Sequence, residues 1–237
     1  QLARAVDSEG RGTCAVVKMD FDQMNVAGEV STGTTIMAAV FDGGVVVGAD
    51  SRTSTGAYVA NRVSDKLSPL HDFIYMCRSG SAADTQAVCD VVRYQLASNS
   101  IESGRLPRVK AAASSTRELV YKYKNFMAAT IVAGWDPVEQ GSVWSLPLGG
   151  TMLKQNYATG GSGSTFIAGF CDSQFRPNMS KEECQTFVKT AISHAMARDG
   201  SSGGIIRLCT ITENGVIREY VAGDDLPYPP EGREGAI

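Results

Sequence analysis

The chain has 237 residues, 43% hydrophobic and 20% charged, with a formal net charge of −3. That balance suits a globular protein of one large domain or two small ones, with ample apolar material for a core. The charge is too small to imply a partner, no Lys/Arg block suggests nucleic acid, and no apolar run approaches the ~20 residues that cross a bilayer.

Residues 1–33 carry Asp7, Glu9, Asp20, Asp22 and Glu29 and no apolar h-region, so they do not read as a signal peptide. Residue 1 is Gln, and the natural start is expected upstream. Next comes Ser31-Thr32-Gly33-Thr34-Thr35-Ile36, where a hydroxyl residue opens onto an apolar run. Ile36–Phe41 and Val45–Ala49 read as two strands of a hairpin around Asp42-Gly43-Gly44, since glycine supports turns with positive φ. Phe73–Cys77 reads as another strand. The period then changes to a helical one. Val88, Val91, Val92 and Leu96 mark one amphipathic helix, and Val109, Ala112, Ala113, Thr116, Leu119, Val120 and Tyr123 mark a second, joined near Gly104 and Pro107.

Strands return at Thr130–Ala133, Val143–Leu146 and Thr151–Leu153, broken by Gly134, Pro137, Gly141 and Gly149-Gly150. Ser180-Lys181-Glu182-Glu183 is a capping box that opens a third helix, with Cys184, Phe187, Val188, Ala191, Ile192 and Ala195 as its apolar stripe. Gly200 is expected to end that helix in a left-handed conformation. Ile205–Thr212 and Gly215–Val221 form a hairpin around Glu213-Asn214-Gly215, and a Pro/Gly-rich arm follows. Strands in hairpins and helices in runs predict an α+β fold, with two antiparallel sheets face to face and helices outside.

Six cysteines, at 14, 77, 89, 171, 184 and 209, form no C-x-x-C pair and read as free thiols in a reducing compartment. With His71 and His194 as the chain's histidines, no metal site is expected. Gly200-Ser201-Ser202-Gly203-Gly204 matches G-x-S-x-G, yet a helix precedes it and a strand follows, the reverse of a nucleophile elbow. Gly160-Gly161-Ser162-Gly163-Ser164-Thr165 lacks the lysine of a phosphate loop. Neither histidine is expected to serve a serine.

Thr34 remains. Alone, Gly-Thr-Thr is an ordinary strand start. However, Asp50 ends an apolar strand, where a carboxylate needs a partner, and Lys66 opens another polar-to-apolar transition. A lysine beside a buried aspartate stays charged and lowers the pKa of a neighbouring hydroxyl or amine. Asp50 and Lys66 also admit the reading of a structural ion pair. The three groups together suggest a hydroxyl nucleophile that must be freed from its own prosegment.

Residues from Thr34 to about Val221 resemble a proteasome β subunit, of the N-terminal nucleophile hydrolases. The motifs that carry the resemblance are Gly33–Ala38, Gly48–Arg52, Asn61–Lys66, Arg78–Thr85, Gly161–Thr165 and Arg198–Gly204. The caspase-like, beta-1 type is the nearest in kind. The resemblance implies a four-layer αββα sandwich, in which Thr34 is the nucleophile and Asp50 and Lys66 activate it. Ser162, Asp199 and Ser202 complete the surroundings, and the Gly80 N–H stabilises the oxyanion. It implies Arg78, with Thr53, Ser54 and Ala82, as substrate-contacting positions, the basic residue favouring an acidic side chain before the cut. It implies a prosegment over 1–33, removed by attack of Thr34 on Gly33, then the hydrolase domain 34–221 and a C-terminal arm 222–237. No cofactor or metal is implied.

The implied partners are other β subunits of the same and facing rings, an α-subunit ring, assembly chaperones while the prosegment persists, and polypeptide substrate, with no nucleic acid or membrane. The implied location is cytoplasm and nucleus. Two further readings stand beside this one. One is a non-catalytic ring-building subunit or an unprocessed precursor in an assembly intermediate. The other is a free-standing amidase of the same superfamily.

Overall fold

The computed structural model describes residues 33–55, 58–123 and 125–228. Cys14 and all of the expected prosegment but Gly33 lie outside them, as does the C-terminal arm beyond residue 228.

Two five-stranded antiparallel sheets make the centre. The first takes the order β10 (Tyr157–Gly160), β1 (Ile36–Phe41), β2 (Gly44–Ala49), β11 (Ile206–Thr212), β12 (Gly215–Val221). The second runs β5 (Leu67–His71), β6 (Ile74–Gly80), β7 (Ala128–Asp136), β8 (Gln140–Leu146), β9 (Leu153–Gln155). A small ribbon, β3 (Thr53–Thr55) with β4 (Tyr58–Asn61), stands apart. Helices α1 (Ala82–Ser103) and α2 (Val109–Lys122) cover the second sheet; α3 (Ser164–Gln174) and α4 (Lys181–Arg198) cover the first. This is the αββα sandwich that the sequence predicts.

Strand alternation sorts the core into three layers. In β1, Ile36 and Ala38 face the second sheet, while Met37, Ala39 and Phe41 face α3 and α4. In β6, Tyr75 and Cys77 lie between the sheets, and Ile74 and Met76 lie under α1 and α2. Gly48 has no side chain because α4 leaves no room: a Cβ there would sit 2.7 Å from both Ile192 and Val188. The helix ends follow local rules. Ser81 caps α1 and Gly104, at φ 62°, ends it. The capping box of α4 is formed in both directions by Ser180 and Glu183.

The structure corrects several expectations. Four α-helices are present among the described residues, where three were expected. The unforeseen one is α3, which buries only Ile167 and Cys171 and so has too short a stripe to show a period. The strand expected at Phe73–Cys77 runs on to Gly80. The strand expected at Thr151–Leu153 starts two residues later, because Gly149 and Gly150 take positive φ (94° and 84°) and hold the turn. Strands β3, β4, β5 and β10, of three to five residues each, were not anticipated. Gly200 is not the left-handed cap: α4 ends at Asp199 in an extended conformation (φ −92°), whose N–H still reaches Ala195 O. The described cysteines are free and buried, as expected.

Candidate active site

The two sheets together bring Thr34, Asp50 and Lys66 to one place. Thr34 precedes β1, Asp50 follows β2, and Lys66 leads into β5 on the facing sheet. The β1–β2 register, Ile36 opposite Ala49, sets residues 34 and 50 at the same sheet end. Asp50 is fully buried and satisfied by four donors. Oδ1 accepts from Lys66 Nζ at 2.7 Å and from Thr35 N at 2.9 Å. Oδ2 accepts from Gly203 N at 3.0 Å and Arg52 N at 3.2 Å. Each carboxylate oxygen thus has two donors, as a buried polar group requires.

Lys66 is 6% exposed. Burial pushes its pKa below the usual 10.5, against the Asp50 carboxylate, which pulls it up. Its second bond goes to the Gly33 carbonyl at 2.9 Å. The Thr34 hydroxyl also donates to that carbonyl, at 2.5 Å. Gly33 takes φ 54°, and a Cβ there would lie 2.4 Å from Ser201 Cβ. The peptide bond before Thr34 therefore meets a hydroxyl and an ammonium at one oxygen, in a left-handed turn that excludes a side chain.

A second network lies on the other side of Thr34. Its N–H donates to Ser162 Oγ at 3.1 Å. Ser162 and Ser202 both donate to Asp199 Oδ2, at 2.7 and 2.6 Å, and Ser201 N donates to Oδ1 at 3.0 Å. Each hydroxyl carries one proton. With that of Ser202 committed to Asp199, the 2.8 Å contact between Thr35 and Ser202 has Thr35 as donor. Likewise, the Ser162 oxygen is left with lone pairs toward the Thr34 nitrogen. Gly161 and Gly163 are the residues that allow this approach: a Cβ on Gly161 would lie 2.0 Å from Thr34 O, and one on Gly163 would lie 1.9 Å from Thr35 Oγ1.

The sequence comparisons cover the stretch that holds this geometry. Residues 30–211 match the family described as proteasome subunit. The chain is 57% identical over 204 residues to proteasome subunit beta type-6 of Dictyostelium discoideum, covering 86% of this chain and 95% of that protein. It is 55% identical over 202 residues to subunit beta type-9 of Homo sapiens (85% and 92%) and 53% identical over 203 residues to subunit beta type-1 of Saccharomyces cerevisiae (85% and 94%).

The chain belongs to the proteasome β-subunit family. It is thus a protease-family member of the core particle, on a threonine-protease fold. The relatives carry beta type-6, type-9 and type-1 names alike, so they do not single out one subunit type.

Of the positions expected from sequence, Gly33, Thr34, Asp50, Lys66, Ser162, Asp199 and Ser202 lie in the two networks around Thr34. Gly80 ends β6 at φ 107°, where a Cβ would sit 2.1 Å from Met127 O, so that backbone turn requires glycine. Arg78 is half-buried on β6. Its Nη2 donates to Asp65 O at 3.0 Å, and its buried Nε has no hydrogen-bond partner. It lies near enough to α1 to oppose the rise that burial causes in the Cys89 pKa. Thr53 and Ser54 are on β3, where Thr53 Oγ1 donates to Ser64 Oγ at 2.8 Å, and Ala82 is exposed at the start of α1. Sequence reasoning missed Thr35, the Arg52 and Gly203 amides and the Ser201 amide. Ser201 and Gly203 lie in Gly200–Gly204, which is no nucleophile elbow; both act through their backbone amides, beside the Ser202 hydroxyl. His71 closes β5, and the His194 ring makes tilted contacts with Phe170 at 5.0 Å and Tyr228 at 4.5 Å.

Proposed function

We propose that this chain is a catalytic threonine endopeptidase subunit of the caspase-like type. It is made as a zymogen with prosegment 1–33, frees Thr34 by cleaving its own Gly33–Thr34 bond, and then cuts polypeptides after acidic residues. One observation carries the proposal: Lys66 Nζ bridges Asp50 and the same Gly33 carbonyl that the Thr34 hydroxyl meets. In self-cleavage, Thr34 Oγ adds to the Gly33 carbonyl carbon. The Lys66 ammonium donates to the oxygen that becomes negative. The C–N bond breaks, and the departing nitrogen takes up the hydroxyl's proton. The ester left on Oγ is hydrolysed by water, which releases residues up to Gly33 as a carboxylate.

Once free, the Thr34 α-amine is a base of reference pKa ~8. The Lys66 charge lowers that value and keeps the amine neutral, so it can take the proton of its own hydroxyl. Ser162 holds the nitrogen, and the Asp199 carboxylate orients Ser162. The Gly80 N–H would stabilise the oxyanion of a bound substrate, with Thr53, Ser54 and Ala82 lining the cleft. Arg78 supports the acidic preference: it is a half-buried guanidinium with an unpartnered Nε–H, and a carboxylate leaving water needs such a fixed cation. In this reading the subunit works in cytoplasm and nucleus, between neighbouring β subunits, a facing β ring and an α ring. Chaperones attend it while the prosegment persists.

Fluorogenic peptides and assembled particles test the proposal. Thr34→Ala should abolish both processing and cleavage after Glu. Arg78→Met should lower cleavage after Glu about tenfold to a hundredfold, the equivalent of ~1.5–3 kcal/mol for one charge-assisted contact, while cleavage after apolar residues rises. Unchanged acidic preference in Arg78→Met refutes the specificity; residual processing in Thr34→Ala refutes the nucleophile.

A further inference from the structure

The segment that carries Lys66 is suspended between the two sheets by arginines. Arg207 on β11 donates to Ser64 O at 3.2 Å and to Val63 O at 2.8 Å. Arg218 on β12 pairs with Asp65 Oδ2 at 2.6 Å, with its guanidinium 5.9 Å from the Tyr75 ring centroid. Asp65 Oδ1 accepts from Leu67 N at 3.0 Å. The Asp65 carbonyl in turn receives Arg78 Nη2. Thus the position of one backbone oxygen, fixed by the Asp65 side chain, anchors the guanidinium of Arg78.

We propose that Asp65, held by Arg218, is a positioning residue for Arg78 and thereby sets the selectivity for acidic side chains. The inference rests on the specificity reading of Arg78 given above. Two observations support it. First, the Asp65–Arg218 pair is about four-tenths exposed on each side (42% and 41%), so it adds little to global stability. What the pair does is fix geometry. Second, Lys66 does not depend on it in the same way, because Asp50 and the Arg78 backbone N–H hold Lys66 independently. Loosening Asp65 therefore moves the guanidinium more than the ammonium.

The test compares kcat and KM for a peptide cleaved after Glu and one cleaved after Leu, in assembled particles carrying Arg218→Gln, Arg218→Lys or Asp65→Asn. Arg218→Gln should raise KM for the Glu peptide about three- to tenfold, the lower range for misplacing a positioning group. Its kcat for that peptide and its KM for the Leu peptide should change less than about twofold. Arg218→Lys should restore most of the loss, and Asp65→Asn should shift the Glu/Leu ratio the same way as Arg218→Gln. Equal losses for both peptides, or an unchanged ratio in Arg218→Gln, overturn the inference. Particles with Arg78→Met run in parallel. If they keep their acidic preference, the specificity reading fails. If they lose it while Arg218→Gln does not, the positioning role of Asp65 alone fails. Should Asp65→Asn fail to assemble, the two Arg218 variants decide the question.

Discussion

Replacing Asp50 by Asn changes one atom's chemistry and almost no volume, so the outcome can be worked from the contacts. The carboxylate accepts four hydrogen bonds, two at each oxygen, and its residue is 0% exposed. An amide offers one acceptor oxygen, while its NH2 faces donors. In one orientation the NH2 confronts the Gly203 and Arg52 amides; in the other it confronts Lys66 and the Thr35 amide. Either way a buried donor pair is orphaned, and Lys66 loses its counter-charge. Breaking one side of a buried pair costs ~3–5 kcal/mol. Desolvation of Lys66 is then opposed by the weaker Asp199 charge, without Asp50, and its pKa falls further. If the loss appears in the transition state, kcat/KM falls by about 10²–10³·⁵ at ~1.4 kcal/mol per decade. The same loss slows self-cleavage, because the same ammonium faces Gly33 O. The assay is peptide turnover by purified particles, with intact mass of the chain to follow processing. Asp50→Asn particles that process fully and turn over within about threefold of wild type would refute the reasoning, since far more than ~1 kcal/mol is at stake.

Gly33→Ala places a Cβ 2.4 Å from Ser201 Cβ and 2.7 Å from Ser201 O in a left-handed turn, so processing should slow about five- to thirtyfold for a strain of ~1–2 kcal/mol. The mature chain, once formed, should be fully active because residue 33 has left; a time course of intact mass checks both. The pH profile follows from Lys66. Its folded pKa lies below 10.5, so its charge is present below that folded value and lost as pH rises through it. Turnover should therefore have an alkaline limb with a midpoint under 10.5, at a pH where solvent lysines are still charged; a limb at or above it contradicts the assignment. For stability the sign is the opposite: the buried ammonium disfavours folding below its folded pKa, and that penalty lifts as pH climbs from there toward 10.5. Ser162→Ala leaves Thr34 N without its acceptor and should lower kcat more than it raises KM, as steady-state kinetics on the Leu peptide would show.

The sandwich was legible in the sequence where its elements had long periods. Hairpin β1–β2 and the capping box of α4 were visible because their signals are local. Helix α3 was not, since its two buried residues make no stripe and its opening glycines read as a loop. Thr34, Asp50 and Lys66 were legible through their settings at strand ends. Their convergence was less so, because it depends on sheet register and on a crossing from one sheet to the other. The donor set of Asp50 was invisible for a plainer reason: three of its four partners are backbone amides, which no residue type announces. The Asp65–Arg218 pair spans 153 positions, a separation that composition and periodicity cannot see.

The central claim is that Lys66 and Thr34 act together on the Gly33 carbonyl. The most direct measurement is the N-terminus of this chain in assembled particles, read by intact mass and N-terminal sequencing for wild type and Lys66→Ala. The account predicts a wild-type chain that begins at Thr34 and a Lys66→Ala chain that still carries residues up to Gly33. A wild-type chain that begins elsewhere, or a Lys66→Ala chain cut normally before Thr34, would contradict it.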